Sequence, residues 1–482
     1  MRLSLIFLAV GCTAEKTAPD DIADDTADDT AAETGDSGVD TSDACLVGTP
    51  TATFATDLVT VMTVAWTTKA PGTSVVEWGY DESYGYQTNE ATSASDAHRV
   101  VVAGMAPGTQ VHWRVRSQDG EATCVSDGQI AQVSRGYEQL GPMSLDLAGE
   151  GYSRGFRLLP VSGNPASVVI IDDEAREVWG RPMDEGVTAV QAWMDKDNTH
   201  VLYLAEDSAR LRDISGIYRV SLDQSDVQFL PLHSAHHGFR QLSDGRFLYL
   251  ATDPREVDGE MVAGDALMIV DADGGNSRVV YSTWDQFTPD MPRLIARGGT
   301  YYPNWLDWTH ANSLSIRDDG SVLLSLHNIS TIVNVDLDGN VYWTLMGAED
   351  GAGQPGDFRF DGSVAELFAR QHNPIPVGDH NLLLFDNGPG GDDDYAEVAE
   401  YTLDETNYTF ARVWNFDWDQ AHEVAINGDV QRFPNGNTLA AWGSNGRLNE
   451  ITPAGEIVWQ ASAGSQVLGF LQQYASLGGP VE

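Results

Sequence analysis

Residues 310–336 read HANSLSIRDDGSVLLSLHNISTIVNVD. The stretch begins with a histidine, continues as an alternating apolar strand, turns at Asp-Asp-Gly, and then gives two further apolar segments, the last ending in aspartate. Alternation with a period of two indicates half-buried β-strands, and Asp and Gly are typical of the turns between them. The stretch therefore predicts consecutive antiparallel strands.

A strand that ends in an acidic or polar turn recurs along the chain, at 168–172, 217–223, 267–271, 332–336, 398–404 and 448–452. The repeats are roughly 48–68 residues apart, and a further strand ending in tryptophan follows several of them, at Trp179, Trp343, Trp414 and Trp459. Six units of about fifty residues with about four short strands each predict an all-β fold, a six-bladed β-propeller. A β-solenoid would need much shorter units.

Two other segments repeat the opening pattern of histidine, strand, polar turn and strand: HGFRQLSDGRFLYL (237–250) and HNPIPVGDHNLLLF (372–385). The first strand of a propeller blade lines the central channel. We therefore expect His237, His310 and His372 to occupy one position in neighbouring units and to converge at the channel mouth. Gly428 and Gly155 take this position in units six and one, which predicts that half of the channel is open.

Residues 45–136 precede the repeats and contain short strands at about ten-residue spacing, which predicts an antiparallel β-sandwich. The segments VEWG (76–79) and GMAPGT (104–109) resemble a fibronectin type III domain, which implies a spacer or a docking module. Cys45 and Cys124 bracket this region, and an even pair in an exported protein is most simply a disulfide. The propeller is predicted over residues 137–482.

The first twelve residues, MRLSLIFLAVGC, give one positive charge and an apolar run too short to span a bilayer. They resemble a bacterial lipoprotein signal, which implies lipidation of Cys12 and anchoring to the cell envelope, facing the periplasm or the cell surface. The alternative is an incorrectly assigned start ahead of an ordinary buried cysteine. The acidic run 13–44 predicts a disordered spacer. A net charge of -45 excludes nucleic acid and anionic membrane surfaces as partners, so membrane contact is expected only through the lipid.

Several motifs resemble the bacterial arylsulfotransferases that work without a nucleotide sulfate donor: DWTHANS (307–313), LLSLHN (323–328), FARQHN (368–373), LFDNG (384–388), VQRFPNGNTL (430–439) and GEIVW (455–459). The resemblance covers about residues 150–480. It implies a propeller that needs no cofactor and moves a sulfuryl group from a phenolic sulfate ester to a phenol through a sulfated histidine. By position in the motifs, His372 matches the nucleophile. His310 and Asn312 match a His-x-Asn pair, and His237 matches a histidine of an earlier blade.

The chain departs from the family pattern at two positions. An arginine is expected after the LLS strand, where this chain has His327, and an aspartate is expected after the earlier histidine, where it has Gly238. We expect His310, Asn312 and His327 to bind the sulfuryl oxygens. Either His237 or His310 would protonate the leaving phenolate and deprotonate the acceptor. A supporting charge on His327 would exist only while its ring is protonated, which predicts a bell-shaped pH profile with an optimum near neutrality.

Three alternatives concern the use of these residues. Tyr302, Trp305 and Trp308 lie near the motifs and would either stack on phenol rings or belong to the core. The block at 378–381, Gly-Asp-His-Asn, is similar to part of a metallophosphatase site, but the other blocks that such a site needs are missing. A non-catalytic surface propeller that binds sulfated or aromatic ligands would keep the same pocket and show no turnover. Incubation with p-nitrophenyl sulfate distinguishes this binder from an enzyme.

Overall fold

The computed structural model describes residues 45–56, 58–90, 93–119, 122–208, 212–297, 300–301, 305–348, 356–388, 396–418 and 424–481. The signal sequence, Cys12, the acidic spacer and Tyr302 lie outside these residues, so their assignments stay predictions. One α-helix, α1 (Met291–Arg297), occurs in the described part of the chain. No described helix is long and apolar enough to cross a membrane.

The remaining elements are β-strands and four short 3-10 helices at Thr283–Asp285, His327–Ile329, Val364–Glu366 and Gly443–Asn445. The strands of the N-terminal region are β1 (Thr51–Phe54), β2 (Met62–Gly79), β3 (Tyr86–Gln87), β4 (Ser95–Val102), β5 (Gln110–Asp119), β6 (Ala122–Val125) and β7 (Gln129–Gln132). The strands that follow are β8 (Ser144–Ala148), β9 (Phe156–Val161), β10 (Ser167–Ile171), β11 (Glu177–Pro182), β12 (Val187–Met194), β13 (His200–Asp207), β14 (Gly216–Ser221), β15 (Val227–Pro231), β16 (Ala235–Gln241), β17 (Phe247–Val257), β18 (Glu260–Val270), β19 (Arg278–Ser282), β20 (Thr300–Tyr301), β21 (Trp305–Asp307), β22 (Ala311–Ile316), β23 (Val322–Leu326), β24 (Thr331–Val335), β25 (Val341–Met346), β26 (Arg359–Phe360), β27 (His372–Val377), β28 (Asn381–Asp386), β29 (Glu397–Asp404), β30 (Thr409–Asp417), β31 (Asp429–Arg432), β32 (Thr438–Trp442), β33 (Arg447–Ile451), β34 (Ile457–Ser462), β35 (Gln472–Tyr474) and β36 (Gly478–Pro480).

Six sheets follow the N-terminal region and form the six blades predicted from the sequence. From the channel outward, the blades are β35-β9-β10-β11, β12-β13-β14-β15, β16-β17-β18-β19, β22-β23-β24-β25, β27-β28-β29-β30 and β31-β32-β33-β34. The middle strands of the blades, such as β10, β23 and β24, are buried along their whole length. This burial explains why they read as continuous apolar runs, since neighbouring blades cover both of their faces.

Four repeated tryptophans each join one blade to the next. Each lies on the fourth strand of its own blade and donates its indole N–H to the acidic or polar turn of the following blade, over 2.8–3.1 Å. The bonds run from Trp179 to Leu222, from Trp343 to Glu405, from Trp414 to Pro453 and from Trp459 to Asp173. The last of them joins blade six to blade one, so the repeated sequence signal is also the contact that closes the ring.

Both ends of the repeat region contribute to this closure. Strand β8 adds to the outer edge of blade six, and β35 forms the innermost strand of blade one. The prediction for Gly155 was therefore wrong: this residue precedes β9, the second strand of its blade, because the C-terminal segment supplies the first. Gly428 precedes β31, the inner strand of blade six, as expected.

The N-terminal region is built around the long strand β2. Its first half pairs with β1 and β4, and its second half pairs with β3 and β5. Cys45 and Cys124 form the predicted disulfide, with 6.2 Å between their Cα atoms. Strand β36, which the sequence analysis assigned to the propeller, instead pairs with β4. The ring of Trp78 packs on that of Phe156 in β9, so this region shares a hydrophobic core with blade one.

Candidate functional site

Four histidine rings meet at the ends of the inner strands. We call His237, His310, His327 and His372 the histidine cluster. The ring centroids lie 4.9 Å apart between His237 and His310, 5.4 Å between His310 and His327, and 5.2 Å between His327 and His372. The structure thus brings together all four histidines that the sequence analysis selected.

β-Bulges in the inner strands change the direction of these side chains. The pairing of β16, β22 and β27 with their neighbours shifts register after His236, Ala311 and His372, respectively. A bulge of this kind re-aims the side chains around it. His372 lies at the bulge, whereas His237 follows and His310 precedes the corresponding residue. The prediction that these three histidines occupy the same position in neighbouring blades is therefore accurate only to within one residue.

His237 and His310 adopt positive φ angles of 54° and 48°, and Asn373, directly after His372, adopts 41°. L-residues other than glycine seldom adopt this left-handed conformation, which costs energy that the surrounding structure must supply. Such strained residues occur preferentially at functional sites. Here the strained residues are those that direct imidazole rings from neighbouring blades toward one another.

The tautomer of His372 is set by Asn387. The Asn387 amide nitrogen donates to the carbonyl oxygens of Val424 and Asn427 at 2.8 and 2.9 Å. Its Oδ1 therefore faces Nδ1 of His372, 2.7 Å away, and must accept a hydrogen bond from the N–H at that nitrogen. With the proton held on Nδ1, the lone pair of the neutral ring is on Nε2.

His310 and His327 are oriented in a similar way. Nδ1 of His310 lies 2.7 Å from the Asp307 carboxylate, and Nδ1 of His327 lies 2.9 Å from Oδ1 of Asn328. The Asn328 amide nitrogen donates to the Asp307 carbonyl oxygen, which leaves its Oδ1 as the acceptor. Both rings thus hold a proton on Nδ1 and direct Nε2 elsewhere.

His237 has a partner that the sequence analysis did not select. Its Nδ1 lies 3.0 Å from Nδ1 of His236, and Nε2 of His236 lies 3.1 Å from the Asp265 carboxylate. Asp265 also accepts a hydrogen bond from the backbone N–H of Ala311. The adjacent pair His236-His237 was visible in the sequence, but only the fold brings Asp265 to it.

Asn312 has a different role from the one predicted. Its amide nitrogen donates to the carbonyl oxygen of Gln371 at 2.8 Å, its Oδ1 accepts from the Ser313 hydroxyl, and its side chain is buried. The prediction that this amide binds sulfuryl oxygens was wrong, because its hydrogen bonds are made within the protein. Asn312 instead braces the residue directly before His372.

Burial controls the charge of two cluster histidines. Burial, opposed by the hydrogen bond to Asn387, lowers the pKa of His372 to about 4. Burial and the neighbouring His372 and His310 lower the pKa of His327 well below its ordinary value. Both rings are therefore neutral at pH 7. The expectation that His327 supplies a positive charge near neutrality was wrong, since the ring is too poorly solvated to hold a proton there.

Arg370 brings a permanent charge to the same place. It lies two residues before His372 at a φ of 52°, and its backbone N–H donates to the Ser330 hydroxyl at 3.1 Å. Its charge also contributes, after the larger causes, to the lowered pKa of His327. Among the described residues no carboxylate lies within ion-pair distance of its guanidinium. The sequence analysis missed Arg370, although it stands inside the FARQHN motif.

The aromatic residues near the motifs divide by location. Trp308 is buried in a hydrophobic cluster and packs on Trp284 at 4.5 Å, so of the two alternatives it belongs to the core. Trp305 in β21 is half-buried. Phe470, which precedes β35, lies with its ring centroid 6.2 Å from that of His372. An apolar ring thus flanks His372 from the blade that the C-terminal segment completes.

The alternative metal site lacks a matching arrangement of ligands. His380 is exposed in the turn between β27 and β28, at the opposite end of the hairpin from His372. Within the described ranges, no group of three or more His, Cys, Asp or Glu side chains is arranged to hold a metal ion.

Comparisons with known proteins identify the family. A comparison with curated proteins found no match. Similar solved structures include a protein of unknown function from Bacteroides caccae, with 13% identity and a TM-score of 0.42 over 67% of this chain and 99% of that chain. Another is a periplasmic gluconolactonase from Pseudomonas aeruginosa, with 13% identity and a TM-score of 0.38 over 84% of this chain and 99% of that chain. The family profile described as Arylsulfotransferase (ASST) matches residues 153–471, which is more than half of the 482 residues. The chain belongs to the arylsulfotransferase family.

Proposed function

We propose that this protein transfers a sulfuryl group from a phenolic sulfate ester to a phenol through a sulfohistidine at His372. The observation that carries the proposal is the state of His372: a neutral ring whose proton is held on Nδ1 by Asn387, which leaves the lone pair on Nε2, packed beside the imidazole of His327. A neutral imidazole of this kind is a competent nucleophile. Membership of the family supports the reaction class.

The proposed reaction has two displacements at sulfur. In the first, the Nε2 lone pair of His372 forms an N–S bond while the S–O bond to the donor phenol breaks, and the electron pair leaves with the phenolate. In the second, the acceptor phenol loses its proton and attacks the sulfur, and the N–S electron pair returns to Nε2. A proton must be supplied to the first phenolate and removed from the second phenol. His237 and His310, within the same cluster, are the groups that we assign to these transfers.

The negative charge on the sulfuryl oxygens needs a cation or strong hydrogen-bond donors. We assign this role to Arg370, since His327 is neutral at pH 7 and cannot supply the charge. Guanidinium is charged at any ordinary pH and presents paired N–H donors that match two oxygens of a sulfuryl group. Arg370 would therefore replace the family arginine that is absent at position 327.

The proposal is tested first by transfer kinetics. Incubation with p-nitrophenyl sulfate should release p-nitrophenol, and addition of a second phenol should accelerate the release and yield the sulfated phenol in equal amount. Release that does not depend on the acceptor and yields free sulfate would identify a sulfatase instead. The absence of any release would favour the non-catalytic binding protein.

The pH dependence follows from the burial of His372. Because its pKa is lowered to about 4, the ring is neutral above that pH and becomes protonated, and unable to attack, below it. We expect kcat/KM for p-nitrophenyl sulfate to decrease as the pH is lowered through about 4. We expect no decrease at alkaline pH from loss of a proton by His327, because that ring is already neutral. This profile replaces the bell-shaped one that the sequence suggested. Return of acid-treated protein to neutral pH should restore full activity, and an acid limb between about pH 6 and 7 would contradict the assignment.

Replacement of Asn387 tests the tautomer. In Asn387→Leu the Nδ1 proton of His372 loses its acceptor, so the ring is free to take the other tautomer and to rotate. We expect kcat to fall by about 10–100-fold, the range seen when partners that orient functional histidines are removed. Asn387→Asp should retain more activity than Asn387→Leu, because a carboxylate still accepts the hydrogen bond from the Nδ1–H of His372. Equal kcat in wild type and Asn387→Leu would show that this hydrogen bond does not prepare the nucleophile.

We also propose that the protein is exported and held at the cell envelope by lipid on Cys12. The Cys45–Cys124 disulfide supports export, because such bonds persist in oxidising compartments. Mass spectrometry of the N-terminal peptide from a membrane fraction tests the anchor. A soluble protein that retains residues 1–11 would contradict it.

A further inference from the structure

The histidine cluster has a second layer on the side of His237. His236 and His237 are consecutive in β16, and their rings meet edge to face with centroids 5.2 Å apart. Both side chains are buried, as is that of Asp265 on β18 of the same blade. The series His237, His236, Asp265 is linked by a 3.0 Å contact between the two Nδ1 atoms and a 3.1 Å contact from Nε2 of His236 to the carboxylate.

The contacts determine where the protons lie. Two imidazole nitrogens at hydrogen-bond distance require one N–H and one lone pair. The Asp265 carboxylate lies at ion-pair distance, 3.1 Å, from Nε2 of His236, and its negative charge favours a proton on that nitrogen over a lone pair, so Nδ1 of His236 is left as an acceptor. Nδ1 of His237 must then be the donor, which places the lone pair of the neutral His237 ring on Nε2.

Asp265 also supports the neighbouring blade. Its Oδ2 accepts hydrogen bonds from the Thr309 hydroxyl and from the backbone N–H of Ala311 at 2.8 Å. Thr309 and Ala311 flank His310, which occupies a strained left-handed conformation. One buried carboxylate thus contacts His236, which supports His237, and also holds the Thr309 side chain and the Ala311 backbone on the two sides of His310.

We propose that His236 is a positioning residue that fixes the Nδ1–H tautomer of His237 and, with Asp265, stabilises the His237 imidazolium formed during proton transfer with phenol. The inference rests on the proposed function and refines it by assigning acid–base work to His237. His237 must enter the first displacement as the imidazolium, with a second proton, taken from solvent or from the previous acceptor phenol, on Nε2. When His237 donates this proton to the leaving phenolate, the ring returns to the neutral form that His236 holds in place. When it removes the proton of the acceptor phenol, the charge reappears next to the His236–Asp265 pair.

The kinetic test uses donors whose phenols differ in basicity. A poor leaving group such as unsubstituted phenol needs the proton from His237, whereas p-nitrophenol leaves readily without it. In His236→Phe we expect kcat/KM for phenyl sulfate to fall by about 100-fold and that for p-nitrophenyl sulfate to change by less than about threefold. His236→Asn, whose side-chain oxygen can still accept from Nδ1 of His237, should lie between. Equal losses for the two donors would show a merely structural role and overturn the proposal, as would no loss for either.

A matched control exists on blade two. His200 pairs with Asp195 over 3.1 Å, as His236 does with Asp265, but it lies at the start of β13 and its Nδ1 contacts Thr199 and Arg219 rather than a cluster histidine. We expect His200→Phe to leave the ratio of the two kcat/KM values unchanged. If His200→Phe changed this ratio as much as His236→Phe does, the effect of His236→Phe could not be attributed to its contact with His237.

A second readout does not depend on turnover. Nitrogen–proton correlation spectra of the histidine rings report which nitrogen holds the proton, and we expect His237 to be the Nδ1–H tautomer in the wild type and a mixture in His236→Phe. A wild-type His237 with its proton on Nε2 would overturn the positioning role even in an active enzyme. The expected tautomer in a protein that transfers no sulfuryl group would instead refute the proposed function and the acid–base role, while the hydrogen-bond arrangement would stand.

Discussion

His372→Ala should abolish sulfuryl transfer, with kcat reduced by on the order of 10⁴-fold or more, as expected when the nucleophile of a covalent mechanism is removed. The loss should be equally severe for activated and unactivated donors, because no group remains to accept the sulfur. Stopped assays with p-nitrophenyl sulfate and a phenol acceptor measure it. The fold should survive, because the backbone pairing of β27 with β28 does not depend on the imidazole.

His380→Ala is the matched control for this variant. His380 lies on the same hairpin as His372, at the exposed turn beyond β27, so its removal changes the hairpin without touching the cluster. We expect wild-type kinetics. A His372→Ala protein that turns over normally would refute the covalent mechanism, and so would the same loss in both variants.

His237→Ala should behave differently from His372→Ala. The nucleophile stays in place, so an activated donor should still sulfate the protein, but deprotonation of the acceptor should be slow. We expect the intermediate to accumulate with p-nitrophenyl sulfate while overall turnover falls by about 10²–10⁴-fold, the usual contribution of a general acid–base group.

Arg370→Ala should also give a large loss, about 10²–10³-fold in kcat, which is the usual effect of removing one group that stabilises developing oxyanion charge. The backbone at position 370 has a positive φ, but alanine and arginine both bear a Cβ, so the substitution adds no backbone strain. Arg370→Lys should recover part of the loss, because it restores the charge without the paired donors. Comparison of kcat and KM with one donor across the three proteins measures the effect.

A compensating variant sharpens this test. His327→Arg in the Arg370→Ala background restores a guanidinium at the position where the family pattern has one, and we expect it to recover activity. Arg359, which is 70% exposed in its side chain, provides a surface control whose replacement by alanine should have no effect. An Arg370→Ala protein with wild-type kcat would show that the oxygens are stabilised by other groups.

The fold could be predicted from the sequence because its signals repeat. The turn motifs and tryptophans recur in several blades, and four of these tryptophans bond the turn of the next blade. The closure of the ring could not be predicted in the same way. Strands β8, β35 and β36 are short segments whose partners lie hundreds of residues away or in another region, and no local pattern encodes such pairings.

The histidines of the candidate site could be predicted from the sequence, but their hydrogen-bond partners could not. Those residues stand at repeated places in the sequence, whereas their partners do not: Asn387 and Asp265 come from other strands of the same blades and reach the rings only after folding. The prediction that His327 is charged near neutrality failed for a related reason: the lowered pKa of this ring depends on burial and on neighbouring imidazoles, which only the folded structure brings together. Arg370 lay within the quoted motif, but its closeness to His327 depends on the local turn of the backbone.

The most direct test of the central claim is peptide mapping after incubation with p-nitrophenyl sulfate in the absence of an acceptor. We expect the intact protein to gain the mass of one sulfuryl group and the group to map to His372 when the digest is kept alkaline. Addition of a phenol should remove the group and form the aryl sulfate. Sulfuryl transfer to phenol without any sulfated protein, or a stable sulfate on another residue, would contradict it.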